Sequence, residues 1–96
     1  MKSLTLALLS SLVLSTPALA DEATAKSNGC MACHAVAKKV VGPAFKDIAA
    51  KKTPADVLTK HVREGCKGLW GPVPMPPQTK ISDADLNKVL AWIQAQ

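Results

Sequence analysis

Residues 29–34 read GCMACH: a glycine, two cysteines with two residues between them, and a histidine directly after the second. Cys30 and Cys33 stand about one helical turn apart, so their thiols can face the same side of the chain. Four chemistries use cysteines this close. A disulfide between the two leaves His34 without a role. A thioredoxin-like redox pair requires a βαβ setting. A structural zinc requires four ligands, which here means recruiting Cys66 and His61. The fourth is the C-x-x-C-H signature of covalent haem attachment. In it the thiols add to the two vinyl groups of the porphyrin as thioethers, and His34 is held beneath the iron as an axial ligand.

The chain upstream bears on that choice. Residues 1–20, MKSLTLALLSSLVLSTPALA, carry a lone Lys2, an apolar run over residues 4–14 and the small-residue site Ala18-Leu19-Ala20. This is the layout of a secretory signal peptide cleaved after Ala20, leaving one domain over residues 21–96. A membrane anchor and a first helix of the fold are the competing readings. The apolar run is short for a bilayer span, and no stop-transfer pattern follows it. Export agrees with haem attachment, which bacteria complete outside the cytoplasm, and the periplasm is the expected location.

A domain of this length has a thin core and needs a staple, whether disulfides, a metal or a cofactor. Phe45, Trp70 and Trp92 are the only aromatic residues among 96. Part of the core is therefore expected to come from something other than side chains. With 12 Lys and Arg against 7 Asp and Glu the full chain carries +5, and loss of Lys2 with the leader lowers this to +4. Such a charge either solvates the surface or steers acidic partners. Nucleic acid is not an expected partner, since the chain is exported and has no dense basic run. Motif, export and missing core together favour haem over the three alternatives.

No internal repeat, long linker or period-2 strand is visible, and the expected fold class is all-α, about four helices with long loops. The first helix is expected over residues 22–28, ended by Gly29. GPAFKDIAAKK, residues 42–52, starts a second, with Pro43 near its first position and Ile48 inward. A third has Thr53 as N-cap, Pro54 at its first position and Asp56 in its first turn, and stops at Gly65. Ser82 caps the last, with Asp83 and Asp85 near its positive end. Leu86, Val89, Leu90 and Ile93 recur at helical spacing and mark its buried face.

Between the third and fourth helices lies GLWGPVPMPPQ, residues 68–78, which sets Met75 among Pro72, Pro74, Pro76 and Pro77. Proline excludes a helix interior and makes a poor strand. Haem iron takes a sixth ligand, and a His/Met pair gives a raised reduction potential. Met1 leaves with the leader, and Met31, between the attachment cysteines, is badly placed to reach the far face. Met75 is the expected sixth ligand, on a stiff backbone with little entropy to lose. Filling a gap in the core is the alternative use.

NGCMACH, VVGPAFKDIAAK, GLWGPVPMPP and SDADLNKVLAWI together make residues 26–96 resemble the small bacterial class I cytochromes c of the cytochrome c-551 type. The resemblance implies a periplasmic one-electron carrier, not an enzyme, with one haem c on Cys30 and Cys33 and with His34 and Met75 axial to the iron. It implies redox partner proteins such as a respiratory cytochrome complex, a terminal oxidase or a nitrite reductase. It also implies that the Pro43 carbonyl accepts the Nδ1–H of His34, fixing its tautomer, and that the Trp70 indole reaches a haem propionate.

The chain departs from that pattern in places. His61 stands where relatives often carry an arginine that pairs with a propionate. A histidine there makes the contact pH-dependent; a surface role and a rival axial role are the other readings. Gln78 replaces an asparagine that contacts the methionine sulfur, and the connection over residues 52–55 is shortened. Cys66 replaces a serine. It is either a small buried residue or a free thiol able to link two otherwise monomeric chains. Lys38, Lys39 and Lys67 are candidates to ring the haem edge and steer acidic partners. A gas-binding or peroxidase-like protein with an open sixth position is the alternative function, and Met75 speaks against it.

Overall fold

The computed structural model describes residues 17–96. Its four α-helices are α1 (Pro17–Ser27), α2 (Phe45–Ala50), α3 (Ala55–Glu64) and α4 (Asp83–Gln94), and a single 3₁₀ turn (Cys30–Ala32) follows α1. Among the described residues extended pairing is confined to two isolated bridges, His34 with Lys39 and Cys66 with Met75. The all-α class read from the sequence is the class observed. Most of the expected leader, residues 1–16, lies outside the described residues.

The C-terminal helix α4 organises the rest. Ser82 Oγ accepts from Asp85 N at 3.2 Å, satisfying one of the amides a helix start leaves open. Leu86, Val89, Leu90 and Ile93 are buried as their spacing requires, and Trp92 is buried beside them. This wide apolar face meets α1, α2 and α3. Each sends a residue into the common core: Ala25, Phe45 and Leu58, with Ile81 just ahead of α4. Ala25 is fully buried, and its short side chain lets α1 lie close to α4. Phe45 meets Trp92 edge to face at 5.2 Å, an arrangement worth about 0.5–1.5 kcal/mol beyond the area it buries.

Three helix starts differ from expectation. Helix α1 is already under way at Pro17, the first described residue, and so reaches upstream of Glu22; Ala18-Leu19-Ala20 are good helix formers. Helix α2 starts at Phe45 with extended Ala44 at its N-cap, so Pro43 lies outside it. Helix α3 has Pro54, not Thr53, at its N-cap. The Thr53 carbonyl instead accepts Gln94 Nε2 of α4 at 3.2 Å. Ile48 packs against the core as expected.

Candidate haem site

The first half of the site is built by the turn after α1. Gly29, at φ 77°, directs the chain into the 3₁₀ turn. Both Cys33 N and His34 N then donate to the Cys30 carbonyl, at 3.3 and 3.0 Å. Val41 N and Gly42 N return to the Cys33 carbonyl at 3.1 and 2.7 Å. That fold-back puts Gly42-Pro43 against the His34 ring. His34 Nδ1 lies 2.8 Å from the Pro43 carbonyl. A carbonyl only accepts, so Nδ1 carries a proton, and in the neutral ring Nε2 keeps its lone pair. Phe45 stacks on the same ring at 5.1 Å and 21°. A Cβ at Gly42 would come within 2.4 Å of His34 Cε1. The ring is thus fixed by a carbonyl, an aromatic face and a side chain that is missing.

The second half hangs from the end of α3. Gly65 closes that helix at φ 78°, and a Cβ there would meet the Met75 carbonyl at 2.6 Å. Cys66 and Met75 exchange both backbone hydrogen bonds, at 2.8 and 3.1 Å. Past Met75, Gln78 N donates to the Val62 carbonyl at 2.8 Å. The Gln78 side chain donates to the Pro76 carbonyl at 3.0 Å. The proline-rich loop is therefore tied at Met75 to Cys66, just past α3, and downstream of Met75 to α3 itself.

Both halves face one cavity of about 420 Å³. Its wall includes Cys30, Cys33, His34, Pro43, His61, Trp70 and Met75, every site residue the sequence nominated. Phe45, Leu58, Leu86, Leu90 and Ile93 supply its apolar lining. Met31 is not on that wall and packs against the hydrophobic core. Burial pushes the Cys30 thiol above its ordinary value; a backbone hydrogen bond partly offsets this and Cys33 adds to it. Without attachment, Cys30 is a neutral thiol.

Two residues of that wall, Trp70 and Cys66, have surroundings of their own. Trp70 is half-buried, with Lys51 Nζ 4.2 Å from the centre of its ring. Cys66 is half-buried and unbonded to another cysteine. Among the described residues no three His, Cys, Asp or Glu side chains gather as a metal site would need, so the zinc alternative has no geometry to support it. Gly42 and Gly65 escaped the sequence reading as site residues. Both stand beside recognised features, Pro43 and the end of α3, but only the packed structure shows what occupies their missing Cβ positions. Two thiols, an imidazole with its lone pair available, a thioether and an apolar lining on one cavity fit a covalently held haem.

Comparison with known proteins agrees with that chemistry. The profile of a family described as cytochrome C oxidase, cbb3-type, subunit III, matches residues 17–93. Cytochrome c-552 of Nitrosomonas europaea is 47% identical over 88 residues, covering 88% of this chain and 85% of that one. Cytochrome c-551 of Pseudomonas aeruginosa is 43% identical over 75 residues, covering 74% and 71%. The crystal structure of wild-type N. europaea cytochrome c552 aligns with a TM-score of 0.74 at 46% identity, over 77% of this chain and 96% of that one. The class 1 cytochrome MtoD of Sideroxydans lithotrophicus aligns at 0.63 and 26% identity, over 79% and 91%. The chain belongs to the small class I cytochromes c of the c-551/c-552 type, electron carriers whose c-type haem is bound covalently at the C-x-x-C-H position that Cys30, Cys33 and His34 occupy here.

Proposed function

We propose that this protein is a periplasmic electron carrier in which His34 and Met75 are the two axial ligands of the haem iron. The observation that carries this reading is the single cavity whose wall holds Cys30, Cys33, His34 and Met75 together. The haem supplies a one-electron iron couple, and His/Met ligation raises its potential.

The protein's own part is to hold its side chains still. The Pro43 carbonyl accepts the Nδ1–H of His34, which would leave Nε2 for the metal and make the ring a stronger donor. Met75 is held through its backbone by Cys66 and flanked by prolines, so the backbone that carries it has little freedom to lose on binding. With His34 and Met75 both holding the iron, no position would be left for a substrate, which suits a carrier rather than an enzyme. Trp70, braced by Lys51, and His61 are the residues on the wall suited to the propionates.

Exposed Val41, Leu69 and Val73 also border the cavity and offer apolar contact to a partner. Lys38, Lys39 and Lys67 are exposed and supply positive charge. That combination suits an acidic redox protein, such as a respiratory cytochrome complex, a terminal oxidase or a nitrite reductase. Residues 1–20 act as the export signal, and the mature chain is residues 21–96. Half-burial of Cys66 on the cavity wall favours a monomer over a disulfide-linked dimer.

Carbon monoxide separates this reading from the gas-binding or peroxidase-like one. Native ferrous protein should show no spectral change under carbon monoxide at neutral pH. Ready binding would mean an open sixth position and would contradict the carrier reading.

A further inference from the structure

Arg63 lies in the last turn of α3 and is absent from the cavity wall, yet it reaches the loop that bears Met75. Its Nη1 donates to the Gln78 carbonyl at 3.4 Å and to the Ile81 carbonyl. Its Nη2 pairs with Asp83 at 2.7 Å. A guanidinium presents several donors in one rigid plane, so a single side chain joins α3, the loop exit and the first turn of α4. The ion pair is the weaker part, because the Asp83 side chain is 94% exposed and solvent screens it. The carbonyls matter more. Those of Gln78 and Ile81 both precede α4, so its ladder does not use them.

The contact extends toward Met75. Gln78 N is bonded to the Val62 carbonyl, and Gln78 Nε2 to the carbonyl of Pro76, the residue after Met75. Releasing Arg63 frees the loop exit and leaves Gln78 as the main downstream anchor. We propose that Arg63 is a positioning residue for the Met75 ligand, holding the loop exit on α3 so that the sulfur stays on the iron. This rests on the reading of Met75 as sixth ligand.

Exogenous imidazole is the probe. It binds ferric iron only when Met75 is off, so its apparent affinity scales with the detached fraction. Arg63→Gln should raise that affinity about tenfold, as expected for losing charge-assisted hydrogen bonds. Arg63→Lys keeps the charge without the fork and should raise it about threefold. Gln94→Ala removes a tertiary hydrogen bond at the far end of α4 and should leave it unchanged.

Wild-type affinity in Arg63→Gln overturns the proposal. So does an equal rise in Gln94→Ala, which would mark a general loosening. If Arg63→Gln yields no holoprotein, Arg63→Lys decides, and wild-type affinity there overturns the proposal as well. A wild-type protein lacking the long-wavelength ferric band of sulfur–iron ligation would instead remove the Met75 reading itself, before any variant is compared.

Discussion

At Gly42 one added methyl group would lie 2.4 Å from His34 Cε1 and 2.9 Å from its Nδ1, the atom that meets the Pro43 carbonyl. Either the ring or the turn must move to admit it. Gly42→Ala is expected to cost about 1–3 kcal/mol as an overpacked site, and to shift the reduction potential because the Pro43 bond to His34 is disturbed. Denaturant unfolding and a redox titration of the holoprotein check the two effects. Cys30, Cys33 and His34 were legible in the sequence because haem attachment dictates residue type and spacing, and Met75, which shares their cavity wall, stood out by its place among prolines. Gly42 was not, since its requirement comes from a ring nine residues or fewer away in sequence and folded back in space. Gln78 was legible as a departure, but its bond to the Pro76 carbonyl belongs to the folded loop.

The start and the buried face of α4 were readable because their signals are local: Ser82 at the cap, acids in the first turn and apolar residues at inward positions. Ser82→Ala should lower stability by about 1 kcal/mol, seen as a lower denaturant midpoint with an unchanged slope. Starts governed by tertiary contacts were less readable. Thr53 looks like a cap, yet its carbonyl serves Gln94 and Pro54 takes the N-cap position. Pro43 looks like a helix-starting proline. Its place outside α2 agrees with the other use of its carbonyl, since that group faces His34. Residues 18–20 suit both a cleavage site and a helix, so local sequence does not separate the two.

Across the described residues the helices share one hydrophobic core, and a cavity opens beside it between α2, α3, α4 and the loops. Leu58, Leu86, Leu90 and Ile93 belong to the buried core and also line the cavity. The scarcity of aromatic residues anticipated this, since a chain with so few large side chains needs another body to pack against. The surface follows from composition too: basic residues outnumber acidic ones, 12 to 7. Electron transfer to an acidic partner should slow as ionic strength rises, because screening shortens to about 10 Å at 0.1 M salt. Stopped-flow rates across a salt series check this, and Lys67→Glu should flatten the dependence. The identity of that partner was not legible, because the exposed valines, leucine and lysines specify a kind of surface and no single protein.

The most direct measurement is the ferric optical spectrum of the purified protein beside that of Met75→Ala. Ligation of the iron by His34 and Met75 predicts low-spin c-type bands in both ordinary spectral regions of the wild type, with the weak long-wavelength sulfur–iron band present, and loss of that band in the variant. A wild-type c-type spectrum without the sulfur band, unchanged by the substitution, would contradict it.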